Sequence, residues 1–204
     1  MGRGITRISS RPGEYRTTRW NAIGHAGHNG PEDRIDRLGK EKSETSRKQL
    51  IELTANSDRN TALSAVRNLG LQGDEESRRA LEAVLADPDR DSRVRSAAAA
   101  TLGRFEEMDP QPLTRILANE EDVHVRRGAA RGLMKWTSTK NNQAVPDLYK
   151  ALRDPDVRVR EAAATALYKA TLMLSMYDPR KDPRTQGKQL SDIRRMLTEK
   201  GYLK

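Results

Sequence analysis

Val94-Arg95-Ser96-Ala97-Ala98-Ala99-Ala100-Thr101-Leu102 and Val159-Arg160-Glu161-Ala162-Ala163-Ala164-Thr165-Ala166-Leu167 are two copies of one pattern. A third copy runs from Val125-Arg126 through Ala129 to Leu133, and a degenerate first copy from Thr61-Ala62 through Ala65 to Leu69. Their starts at 61, 94, 125 and 159 lie 33, 31 and 34 residues apart. A fixed internal period of this size is the mark of stacked repeats. Within each copy, the alanine at the fifth position and the leucine at the ninth fall on one helical face. Alanines there let neighbouring helices approach closely.

A second amphipathic stretch precedes each copy. These stretches carry Leu50 and Leu53, then Leu81, Val84 and Leu85, then Leu113, Ile116 and Leu117, then Val145, Leu148 and Leu152. A last stretch, with Leu190, Ile193 and Leu197, has no mate after it. Asp87-Pro88 and Asp154-Pro155 fall in the turns. An aspartate there caps a helix start, and proline fits the first helical position because that amide has no partner anyway. Helix, short turn, helix at this period predicts an all-α fold. The expectation is an α-solenoid of about four helix hairpins plus a C-terminal capping helix, over residues 43–204.

The pattern Asp-x-x-x-x-Val-Arg-x-x-Ala-x-x-x-Leu resembles HEAT repeats, in particular the short HEAT-like type named after phycobilisome lyases. Asp89 with Val94-Arg95 and Asp154 with Val159-Arg160 match it, and Glu120 with Val125-Arg126 comes near. The first copy departs from it, with Thr61-Ala62 in place of Val-Arg. The resemblance implies that Asp89, Arg95, Glu120, Arg126, Asp154 and Arg160 form a structural ladder between repeats. It also implies that the second helix of each hairpin lines the concave surface. It says little about function, since solenoids host many jobs.

Residues 1–42 read differently. They hold glycines at 2, 4, 13, 24, 27 and 30 and no helical period, which predicts an extended basic tail ordered by a partner. Arg3, Arg7, Arg11, Arg16 and Arg19 are interleaved there with Tyr15, Trp20, His25 and His28. The whole chain has 38 basic and 29 acidic residues, a formal net charge of +9, and its two ends carry the excess. Such a balance favours a polyanionic partner. On the second helices, Arg93, Arg127, Arg131, Lys135 and Arg158 form rows suited to a phosphate backbone. Arg180, Lys181 and Arg184 lie in a basic, proline-broken link expected over residues 175–189.

The chain has no cysteine, three histidines and eight aromatic residues. That excludes a disulfide framework, a thiolate zinc site and a cysteine nucleophile. His25-x-x-His28 lacks a third ligand nearby, so no metal and no cofactor are expected. Trp136 is expected to cap a core layer. No apolar run is long enough for a membrane span and the first residues lack an apolar leader segment, so a cytoplasmic location is expected. The resulting expectation is a non-catalytic adaptor docking to an RNA-containing assembly, the ribosome or another ribonucleoprotein. The alternative is a protein–protein scaffold or assembly factor gripping an acidic partner. A DNA-binding HEAT-like protein or a bilin-lyase-like component ranks third.

Overall fold

The computed structural model describes residues 31–105, 108–136, 142–172 and 177–204. Ten α-helices occur among them: α1 Pro31–Glu41, α2 Glu44–Leu53, α3 Arg59–Gln72, α4 Glu75–Ala86, α5 Ser92–Leu102, α6 Gln111–Asn119, α7 Val123–Trp136, α8 Val145–Ala151, α9 Val157–Thr171 and α10 Pro183–Glu199. The pairs α2–α3, α4–α5, α6–α7 and α8–α9 are the four hairpins. Their second helices pack in series, α3 on α5, α5 on α7 and α7 on α9, and α10 follows the last hairpin. The fold is an all-α solenoid. No helix among the described residues is long and apolar enough to cross a membrane.

The core lies between the two layers. Leu50, Leu81, Leu113 and Leu148 of the first helices meet Leu69, Leu102 and Leu133 of the second, and all are fully buried. Truncating one such leucine to alanine costs about 2–5 kcal/mol, because neighbours close only part of the cavity. The second-helix layer is tighter still. A Cβ on Gly132 would sit 2.3 Å from the carbonyl oxygen of Ala99, and one on Gly103 would sit 2.0 Å from that of Gly132. Backbone therefore touches backbone between α5 and α7. The second-helix layer is thus the closer-packed one, and its solvent side is called the inner face below, as the resemblance to HEAT repeats implies.

Aspartates begin the second helices at a constant register. Asp58, Asp91, Asp122 and Asp156 each stand three residues before the register starts at 61, 94, 125 and 159 and accept from free amides of the first turn. This satisfies donors that have no intrahelical partner. The turn aspartates beside proline have other tasks. Asp87 is the C-cap of α4, and Asp154 accepts from the Asp156 amide at 2.8 Å.

α1 falls inside the stretch expected to be an extended tail. Ile35 and Leu38 are buried, and a Cβ on Gly39 would overlap Asn68 of α3. Asn68 donates to Asp36 at 3.0 Å, and Gln72 donates to the Leu38 carbonyl at 2.8 Å. Leu38-Gly39 stands to α3 as Leu69-Gly70 stands to α5, so α1 occupies the place of a second helix in a preceding unit. The packed stack thus starts by residue 31, and residues 1–30 lie outside the described residues. At the other end, α10 already starts at Pro183, within the stretch expected to be a link. Asp182 caps it through the Thr185 amide and Pro183 takes its first turn.

Candidate functional site

Arginines join the repeats along the turn edge. Arg95 donates to Glu120 of the next repeat at 2.5 Å and to the Leu85 carbonyl at 3.1 Å. Arg126 holds Asp154 with two nitrogens, at 2.8 and 3.0 Å, and donates to the Glu120 and Glu121 carbonyls. The Arg126 and Asp154 side chains are only 13% and 6% exposed, so this is a largely desolvated, bidentate pair. Arg160 donates to the carbonyls of Asp154, Pro155 and Pro179 instead of to an acid.

The first copy lacks this arginine, because Ala62 takes its place. The junction is made from both sides: Arg90 reaches back to the Thr54 carbonyl at 2.6 Å, and Arg59 reaches forward to Asp91 at 2.8 Å. Asp89 stays exposed, and Asp87 pairs at 3.0 Å with Arg90, the residue that reaches back to the preceding repeat.

The inner face has a different electrostatic character. Arg67, Arg104 and Arg131 are exposed there, with Arg127 and Lys135 partly covered. Among the described residues no carboxylate forms an ion pair with Arg67, Arg104, Arg127 or Arg131. Burial, then the positive charges of Arg104 and Arg131, push the Lys135 ammonium below its ordinary pKa. Three cations from α7 and the end of α5 therefore converge. Nothing in the sequence pattern alone says which arginines are neutralised and which are not.

Other residues expected to bind phosphates are placed otherwise. Arg158 is paired with Asp156 at 3.1 Å, and that pairing, with the α9 amides, holds the Asp156 carboxyl down at about 2. Arg180 is paired with Glu161 at 2.6 Å. Arg93 is exposed at the start of α5, while Lys181 and Arg184 are exposed at the start of α10, away from Arg131 and Lys135 along the chain and in the stack. Ala100 and Thr165 interrupt the row of Arg67 and Arg131. Arg3, Arg7, Arg11, Arg16, Arg19, Trp20 and the His25–His28 pair lie outside the described residues, as does the Trp136 side chain. Among the described residues no group of three histidine, aspartate or glutamate side chains is placed to hold a metal.

Comparison with known proteins bears on these assignments. HEAT repeats match the chain at residues 14–103, 47–133 and 110–183. No curated protein matches it by sequence. Among solved structures, the complex of CpcE and CpcF of phycocyanin lyase from Nostoc sp. PCC7120 is similar, with a TM-score of 0.53 and 20% identity. The match covers 84% of this chain and 71% of that one. That structure is a complex of protein with protein, and it belongs to an enzyme.

Three expectations are corrected on this ground: docking to an RNA-containing assembly, nucleic acid as partner, and a role outside any enzyme. The physical reason agrees, since Asp156 and Glu161 neutralise Arg158 and Arg180 and break the rows that a phosphate backbone would follow. With repeat matches spanning most of the sequence, and a tight layer of second helices capped by aspartates and laced by arginines, this chain belongs to the HEAT-repeat family.

Proposed function

We propose that the chain is a protein scaffold that grips an acidic partner on the inner face formed by α3, α5, α7 and α9. The observation that carries this is that Arg67, Arg104 and Arg131 are exposed there with no ion-paired carboxylate among the described residues, and that Arg104 and Arg131 lie near enough to Lys135 to add their repulsion to the burial that lowers its pKa. Carboxylates of a partner relieve that repulsion, so binding and charge relief coincide. Arg3, Arg7, Arg11, Arg16 and Arg19 add positive charge to the same encounter. A cysteine-free chain fits the reducing cytoplasm.

The test uses the full chain and a fluorescent poly-glutamate peptide, followed by anisotropy. Replacing Arg104 and Arg131 together by glutamine is expected to weaken binding about tenfold and flatten its salt dependence. Unchanged affinity in that variant would overturn the proposal.

The likeness to a phycocyanin lyase complex favours a second reading, a component of a lyase-type enzyme. Incubating the chain with bilin-bearing phycocyanin and following the visible spectrum tests it. A chain-dependent spectral change supports this reading, and a constant spectrum with folded chain counts against it.

A further inference from the structure

The junctions of the turn-edge ladder use the same register places. Arg126 donates to the carbonyls six and five residues before it, Glu120 and Glu121, and holds the acid of the next turn, Asp154, with two nitrogens. Arg160 donates to the same two carbonyl places, Asp154 and Pro155. Arg95 meets an acid at the same place in the next turn, Glu120. At the first junction the arginine is replaced by Ala62, yet the other members are present. Asn56 and Ser57 stand six and five residues before Ala62. Asp89 stands five residues before the register start at 94, as Glu120 and Asp154 do before 125 and 159.

Asn56, Ser57, Ala62 and Asp89 line one cleft of about 410 Å³. Ala62 is buried there, while Asn56, Ser57 and Asp89 are exposed, so the cleft is entered from solvent. Arg59 and Arg90 flank it and are held elsewhere, Arg59 by Asp91 and Arg90 by Asp87 and the Thr54 carbonyl. Each of these arginines thus has an acid of its own. The Asp89 carboxylate accepts no hydrogen bond and forms no ion pair among the described residues. It is the acid of this junction that is left over.

We infer that this cleft binds an arginine side chain of a protein partner, taking from outside the guanidinium that the other junctions supply from within. Asp89 receives its charge, and the backbone of Asn56 and Ser57 offers the carbonyl places that Arg126 and Arg160 use in their own turns. A guanidinium suits these acceptors better than an ammonium. Its planar fork reaches both oxygens of a carboxylate and keeps further N–H groups for carbonyls. The site lies on the turn edge, and it makes no use of the cations of the inner face.

The test uses the full chain and three capped peptides that differ only in a central arginine, lysine or citrulline, followed by amide NMR shifts around Asn56, Ser57 and Asp89. The arginine peptide is expected to bind with a dissociation constant on the order of 1 mM, and the lysine peptide at least about threefold more weakly. Citrulline, which has the shape without the charge, should give no saturable shift. Asp89→Asn should abolish binding of the arginine peptide and leave the melting temperature unchanged, because Asp89 holds nothing within the fold. Ala62→Arg should supply the guanidinium from within, raise the melting temperature by about 3 °C and close the cleft to the peptide. Adding Asp89→Asn to that variant should remove the gain. If Ala62→Arg does not fold, the peptide series and Asp89→Asn still decide. No shift with the arginine peptide, equal binding of arginine and citrulline or of arginine and lysine, or binding that survives Asp89→Asn would each overturn the proposal.

Discussion

Arginine serves the turn edge and the inner face of this solenoid in opposite ways. On the edge, Arg95 and Arg126 are each committed to an acid across a repeat junction and to backbone carbonyls, Leu85 at the end of α4 and Glu120 after α6, with little water around them. On the inner face, Arg104 and Arg131 stand near Lys135, and neither of these two arginines is ion-paired with an acid among the described residues. Side-chain identity is the same, and the surroundings differ. The edge spends its charge on holding repeats in register, whereas the inner face retains charge that the fold itself does not use. Charge kept uncompensated in a folded protein is available to a partner.

Breaking the edge is expected to have the largest effect. Asp154→Ala leaves Arg126 largely buried with no acid and removes an acceptor for the Asp156 amide, so unfolding stability should fall by about 3 kcal/mol in urea titration. Binding of poly-glutamate by the remaining folded protein should be unchanged. A loss under about 1 kcal/mol would mean that the ladder is ornamental to stability.

Crowding the inner layer comes next. Gly132→Ala forces a methyl group against the Ala99 carbonyl, and α5 and α7 must part to admit it. The expected cost is about 2 kcal/mol, read from the same titration. Because Arg104 follows α5 and Arg131 lies on α7, this variant should also raise the Lys135 pKa by spreading the cations, which lysine-selective NMR would report.

Acid acts on the edge and its caps more gently, group by group. Asp156 drops from the ordinary 3.8 to about 2, Asp58 is lowered by the Thr61 hydroxyl and amide, and Asp74 and Asp91 by bonds from first-turn amides and from Arg47 and Arg59. Folded values below unfolded ones mean that this stability is complete above about pH 4 and is lost as pH falls toward 2. Melting temperature should decline progressively across that window, and Asp156→Asn should flatten the decline.

The smallest stability effect belongs to the inner face. Replacing Arg104 and Arg131 by glutamine removes like-charge repulsion and no ion pair, so stability should stay within about 0.5 kcal/mol of the parent. Lys135 should titrate closer to its ordinary value. A large loss of stability there would erase the contrast between the two regions.

The contrast was partly legible beforehand. The valine–arginine–alanine–leucine repeat forecast the hairpins and the period, and the family resemblance pointed to Arg95, Arg126 and Arg160. Several acids crowd the turn that holds Asp89, and only geometry shows that Asp87 is the one that meets Arg90. α1 is hard to read from the sequence because, among its described side chains, it buries only Ile35 and Leu38, against α2 and α3, and shows charge elsewhere. Its signal was short: Leu38-Gly39 spaced like Leu69-Gly70 and Leu102-Gly103.

The sequence by itself determined the repeat, its helical period and its small-residue seams, because periodic apolar and glycine positions admit few other packings. It also settled that cysteine chemistry has no place here. Tertiary structure alone decided which cations are neutral in effect. Arg126 meets Asp154, and Arg180 meets Glu161, across gaps of 28 and 19 residues that no local pattern encodes. Partners at such distances are chosen by how repeats stack, and the same stacking leaves Arg104 and Arg131 exposed without an ion-paired acid among the described residues.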